Sequence, residues 1–245
     1  MASTVSLVIP SYNEERRLPR LADALRTSAA TDLAGAGMEL VEAIVVDDGS
    51  LDASADVLRR ESPRTPLLAP LIRAGANEGK GAAVKAGIEL ARGELVLVSD
   101  VDLAAPLAEA AKLRDALEKG AAIAIGSRAL GGSDVTGIPL SRRVMGRIFN
   151  RLVRTLSGLP YRDTQCGFKL MRADVARELL SEQLAPGFAF DVELLMRARR
   201  RGLAVAEVPV AYHHDPDSSI QAAGASFGMA RDVARLARAL RAGGR

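Results

Sequence analysis

Short apolar runs alternating with helix-spaced segments constrain this chain more than any other feature. Val5–Ile9 reads as a buried strand that stops at Pro10, and Glu14–Leu25 follows with helical spacing. Ala43–Val46 is a second strand, closed by Asp47-Asp48-Gly49-Ser50, where Ser50 or Asp52 can cap a helix running to about Arg60. Pro66–Arg73 is a weaker third strand. Gly79–Ala91 is helical, with Lys80 and Lys85 on its early turns. Glu94–Val98 is a fourth strand ending in Ser99-Asp100-Val101-Asp102, Leu107–Glu118 is helical, and Ala121–Ile125 is a fifth strand. Alternation at this spacing predicts an α/β fold: a Rossmann-like, mostly parallel central sheet with helices on both faces. Ligands of such sheets bind beyond the carboxyl ends of the strands, where the Asp-rich segments fall.

The pattern changes after Ser127. Gly131–Gly137 is a glycine-rich loop, and Ser141–Ser157 is a basic helix. Phe168–Met171, Phe190–Arg201 and Ala204–Tyr212 read as strand, helix and strand, and Ala225–Leu240 is a last basic helix. With 245 residues and no repeat or low-complexity linker, the expected organisation is one domain over 1–245. The change of pattern divides it into halves of about 1–127 and about 128–245. The net charge of +3 is too small to argue for nucleic acid. A single cysteine, Cys166, excludes an intramolecular disulfide and fits a reducing, cytoplasmic setting. No apolar run approaches the ~20 residues that cross a bilayer, so membrane contact is expected to be peripheral or supplied by a membrane-protein partner.

Asp100-Val101-Asp102 carries the chemical case. Two carboxylates one residue apart at a strand end can share ribose hydroxyls and a hard divalent cation, Mg²⁺ or Mn²⁺, that also takes substrate phosphates. The alternative is a helix-capping loop. Asp47-Asp48-Gly49-Ser50 is either a turn with an N-cap or a carboxylate site for a nucleotide's base or ribose. Pro10-Ser11-Tyr12-Asn13-Glu14 is either a strand stop with Asn13 as cap, or the wall of the same nucleotide pocket. Three such strand ends in order favour a pocket.

These segments carry a resemblance. Val5–Glu14 (VSLVIPSYNE), Val45–Ser50 (VVDDGS), Asn77–Ala82 (NEGKGA) and Ser99–Leu103 (SDVDL) resemble the successive motifs of a family 2 glycosyltransferase with the GT-A fold. Gly126-Ser127-Arg128, Asp163–Leu170 (DTQCGFKL) and Phe188–Leu195 (FAFDVELL) resemble its dolichyl-phosphate β-glucosyltransferase branch, with the mannose synthases next. The resemblance implies an inverting, metal-dependent transfer of a hexose, glucose from UDP-glucose first, to a polyprenyl phosphate, with a nucleotide-binding half at about 1–127 and an acceptor-side half at about 128–245. Pro10, Tyr12, Glu14, Asp48, Lys80 and Asp100 would bind the nucleotide sugar, with Asp100 and Asp102 as metal and ribose carboxylates. Arg128 would contact donor or acceptor phosphate. Ser141, Arg142 and Arg143 would hold the lipid phosphate. Asp191 stands where hydroxyl-glycosylating relatives have a base. Ala104 replaces a glutamine that serves mannose synthases as a third metal ligand, and Ser219 replaces a late-loop cation. The alternatives are GDP-mannose as donor, a soluble hydroxyl acceptor, or a non-catalytic nucleotide-sugar-binding protein.

Three further segments have plainer readings. Successive strand side chains point to opposite faces, which argues against His213 and His214 holding one ion. Cys166 has no histidine nearby in sequence and reads as a small packed side chain. Arg143, Arg147, Arg151 and Arg154 share a helix face beside an apolar stripe of Val144, Ile148, Leu152 and Leu156. That stripe is expected on the core or in lipid headgroups, with the arginines solvated or at an anionic membrane surface. Arg231, Arg235, Arg238 and Arg241 repeat the arrangement in the last helix.

Overall fold

The inner strands, such as residues 7–9 and Leu95–Val98, are apolar on both sides of the pleat, so each must be covered on both faces. The structure, a computed structural model, describes residues 2–214 and 222–242, with the side chains of residues 140–142, 222–227 and 241–242 outside the description. The late-loop residues Asp217, Ser218 and Ser219, the side chains of Ser141 and Arg142, and that of Arg241 therefore lie outside the described residues.

The chain opens with β1 (Ser3–Ser11), α1 (Leu18–Thr27), α2 (Ala29–Gly35), β2 (Met38–Asp47), α3 (Ser54–Glu61) and β3 (Leu68–Ile72). It continues through α4 (Lys80–Leu90), β4 (Leu95–Val98), α5 (Ala110–Glu118), β5 (Ile123–Ser127), β6 (Val135–Thr136) and α6 (Leu140–Ser157). The last elements are β7 (Lys169–Arg172), α7 (Ala173–Leu180), α8 (Phe190–Arg200), β8 (Val205–Pro209), β9 (Tyr212–His213) and α9 (Ala222–Ala242).

Seven strands form one sheet in the order β3-β2-β1-β4-β7-β5-β8, and β6 pairs with β9 in a small parallel ribbon. Only β7 runs against its neighbours β4 and β5. The carboxyl ends of β1, β2, β4 and β5 therefore open on one edge, together with the start of β7. Side-chain alternation splits the core into two layers. Leu7, Ile9, Val45 and Leu97 pack under α1, α2, α3 and α5, whereas Val8, Val46, Val96 and Val98 pack under α4, α7, α8 and α9.

Several elements differ from the sequence expectations. β1 does not stop at Pro10. Its pairing with β2 continues to Ser11, and Pro10 lies past Val8, where the pairing of β1 with β4 ends, so its missing amide interrupts neither ladder. Asn13 caps no helix: it sits in the left-handed region at φ 56°, and α1 begins only at Leu18. The segment expected as one strand over Ala204–Tyr212 breaks into β8 and β9, and the glycine-rich loop contains β6. α2 and α7 have no counterpart among the sequence expectations. No helix among the described residues is long and apolar enough to cross a membrane.

Candidate functional site

At the shared strand edge the turns after β1, β2 and β4 line a cleft of about 1720 Å³. Pro10, Tyr12, Glu14, Asp48, Lys80, Asp100, Asp102, Arg128 and Arg143 all face it. Nine residues spread over more than a hundred positions thus meet in one place.

The turn after β4 is tight. The Leu103 amide donates to the Asp100 carbonyl at 3.1 Å, and Leu103 is held at φ 48°, a strained setting for a branched apolar residue. The Ala104 amide donates to Asp102 Oδ1 at 3.1 Å. Asp100 receives Lys80 Nζ at 2.6 Å and packs directly on Gly167, where an added Cβ would overlap the Asp100 carboxylate. Only glycine admits so close an approach. Burial would raise the Asp100 carboxyl, but Lys80, with Lys169 and Arg128 behind it, pulls it below the ordinary carboxylate value. Conversely, Asp100 and Asp191 outweigh burial at Lys80 and keep its ammonium charged.

Asp48 is nearly inaccessible and serves as a hub. It accepts Arg73 Nη1 at 2.5 Å and the Gly79 amide at 2.6 Å, which joins the end of β2 to the start of α4. Gly79 is at φ 114°, and a Cβ there would meet the Pro186 carbonyl at 2.7 Å. The glycine therefore lets α4 start against the 184–189 loop. Glu14 faces the same end of the cleft. Burial raises its carboxyl, against the pull of Arg17, and the nearby Asp102 and Asp100 raise it further. At this end of the cleft Glu14 is therefore raised while Asp100, paired with Lys80, is lowered.

Arg128 marks the other end. It forms a forked pair with Asp163, Nε to Oδ2 at 2.7 Å and Nη2 to Oδ1 at 3.0 Å, and stacks 5.1 Å from the Tyr212 ring. Asp163 more than offsets burial and holds the guanidinium charged. Burial, with Asp100 and Asp102 nearby, pushes the Tyr212 hydroxyl up to about 12. Beyond Arg128 the cleft is walled by Arg143 and Arg147 from α6 and by Arg235 from α9.

Asp191 is not at the cleft wall. It is buried and accepts Lys169 Nζ at 2.5 Å, and Lys169 also donates to the Cys166 carbonyl. Cys166 is buried and its thiol is pushed up to about 11 by burial and by Asp163, which leaves it unreactive. His213 is exposed while its neighbour His214 lines the cleft, as strand alternation requires. The sequence reading gave no role to Asp163, Lys169, Arg73 or Tyr212. Lys169 carried a signal, since a lysine within an apolar strand run needs a buried partner.

The family model described as Glycosyl transferase family 2 matches residues 6–180. A dolichyl-phosphate beta-glucosyltransferase of Trichomonas vaginalis is 36% identical over 247 residues, covering 97% of this chain and 72% of that protein. The Drosophila melanogaster protein of the same description is 35% identical, covering 94% and 73%. Among solved structures, a glucosyl-3-phosphoglycerate synthase from Mycobacterium tuberculosis, crystallised with Mn²⁺ and UDP-glucose, superposes with a TM-score of 0.66 at 19% identity, covering 96% of this chain and 79% of that one. A mannosyl-3-phosphoglycerate synthase from Rubrobacter xylanophilus gives 0.66 at 21%, covering 97% and 75%. These likenesses show the fold, and the sequence relationship shows more: the chain belongs to glycosyl transferase family 2.

Proposed function

We propose that this chain transfers glucose from UDP-glucose to a polyprenyl phosphate, with inversion at the anomeric carbon. One observation carries the reading. A single cleft joins a carboxylate end, Glu14, Asp48, Asp100 and Asp102, to an arginine end, Arg128, Arg143, Arg147 and Arg235. The first suits the hydroxyls and metal-bridged phosphates of a nucleotide, and the second suits an anionic acceptor. The relatives described as dolichyl-phosphate beta-glucosyltransferases support the same donor sugar and acceptor class.

Asp100 and Asp102 fit a hard divalent cation, Mg²⁺ or Mn²⁺, because they are oxygen donors beside a third, raised carboxyl at Glu14. Among the described residues no group of three or more His, Cys, Asp or Glu is placed to hold a metal by itself, so substrate phosphates would complete the shell. Bound there, the cation would neutralise charge on the departing diphosphate. Lys80 keeps Asp100 ionised and oriented. Arg128, itself fixed by Asp163, offers a guanidinium to phosphate oxygens. A phosphate monoester has its second pKa near ~6, so the acceptor oxygen is anionic at neutral pH and needs no strong base. Asp191 is accordingly left as a structural partner of Lys169. We take residues 1–245 as one catalytic domain, acting peripherally at the cytoplasmic membrane face.

The test is a panel of radiolabelled nucleotide sugars with dolichyl and undecaprenyl phosphate, counting label in the organic phase. UDP-glucose should label it most, excess chelator should stop transfer, and Asp102→Asn should remove most activity. Full turnover in chelator would refute the metal. Labelling of soluble acceptors alone would refute the lipid.

A further inference from the structure

α6 presents three distinct faces. At 100° per residue, Arg143, Gly146, Arg147 and Asn150 recur every three or four positions and line the cleft. Phe149, Val153 and Leu156 follow the same rule and pack into the core. The remaining face is apolar and uncovered: Val144 is 45% exposed, Met145 63%, Ile148 63% and Leu152 44%. The stripe expected to run Val144–Ile148–Leu152–Leu156 thus divides. Leu156 turns inward and the other three turn outward, joined by Met145. The helix contains no acidic residue, and Arg143, Arg147 and Arg151 are exposed along it.

We propose that this outward face of α6 inserts into an anionic bilayer at the boundary of headgroups and acyl chains. The proposal rests on the polyprenyl-phosphate reading only for its purpose. A bilayer is the occupant because a row of exposed apolar side chains lies on a helix whose polar side carries arginines and no acidic residue, the pattern of a helix lying in an interface. Four side chains on one helix also fall well short of the roughly 800 Å² per partner of a stable interface. The opposite face of the helix walls the cleft. Insertion would therefore place the arginine end of the cleft about one helix diameter, ~10 Å, from the lipid surface.

The chain contains no Trp, so one introduced tryptophan reports its own position. Ile148→Trp is compared with Leu90→Trp. Leu90 is 53% exposed but ends α4, ten residues or roughly 15 Å along the helix from Lys80 in the cleft. Each protein is mixed with phosphatidylcholine vesicles, with or without phosphatidylglycerol, carrying brominated acyl chains. The expected result is fluorescence quenching of the Ile148→Trp protein on the anionic vesicles and none of the Leu90→Trp protein. A second variant, Met145→Glu with Ile148→Glu, should weaken vesicle co-sedimentation at least tenfold while leaving transfer to a short, water-soluble prenyl phosphate unchanged. Neither position lines the cleft. Vesicle binding without quenching at position 148, equal quenching at position 90, or a vesicle-free dimer abolished by the double variant would each overturn the proposal. Failure of the unaltered protein to glycosylate the short prenyl phosphate would refute the acceptor reading instead and leave the fluorescence result standing.

Discussion

At Gly167 a single methyl group should damage function more than the fold. Its missing Cβ leaves the space that the Asp100 carboxylate occupies. Gly167→Ala should push that carboxylate away, and a misplacement of about 1 Å costs on the order of 100-fold in rate. Transfer assays should show that loss in a protein whose melting temperature changes little. Asp191 should behave in the opposite way. Asp191→Asn leaves the Lys169 ammonium buried without its counter-charge, and breaking such a pair costs about 3–5 kcal/mol. Urea unfolding should detect this. An unchanged stability with abolished transfer would instead make Asp191 the base of a hydroxyl-directed reaction.

Among elements, the loop between β1 and α1 is clasped to the start of α3. The Asn13 amide donates to Ser50 Oγ at 2.8 Å, and Asn13 Oδ1 accepts the Leu51 amide at 2.8 Å. The Glu14 amide donates to Ser54 Oγ at 2.8 Å, and Glu15 Oε2 accepts the Ala53 amide at 3.0 Å. Four bonds between segments nearly forty residues apart hold Glu14 at the cleft. Asn13 can occupy the left-handed region because its short amide bonds locally. Asn13→Ala should therefore lose about 1–2 kcal/mol, part of it strain and part the lost Leu51 bond. Asn13→Gly should recover the strain component, so the two variants compared by thermal unfolding separate the contributions. If both lose the same amount, backbone strain contributes nothing there.

Across the molecule, the charge pairs under the cleft couple stability to pH. Asp100 and Asp163 are both held below their ordinary value of 3.8, by Lys80 and Arg128 respectively, against the effect of burial. A carboxyl depressed in the folded state contributes stability that is complete above 3.8 and disappears as pH falls through the lower folded values. Glu14 opposes them, since its raised carboxyl contributes below 4.5 and loses that contribution as pH rises through its folded value. Asp52, Glu61 and Asp174 are held low as well, so five depressed carboxyls against the raised Glu14 predict a net loss of stability in acid. Asp163→Asn should lessen that loss, as measured by urea unfolding at a series of pH values. An unaltered loss in the variant would show that the Arg128 pair does not contribute to it.

The first five strands in order, and the strand ends that carry the carboxylates, were legible in the sequence, because periodicity and strand-end polarity are local properties, whereas α2, α7 and the β8–β9 break were not. Asp48, Asp100 and Asp102 could be assigned to one pocket on that basis alone, since parallel strands bring their carboxyl ends to one edge. Identity of the pairing partners was not legible. Lys169 meets Asp191, and Arg128 meets Asp163, only because β7 enters the sheet antiparallel between β4 and β5. A register of that kind depends on long-range contacts that no window of sequence contains. The outward face of α6 belongs to the same class. Its apolar pattern admits more than one rotation about the helix axis, and packing of Phe149, Val153 and Leu156 against the core selects the one that leaves Met145 and Ile148 in the open.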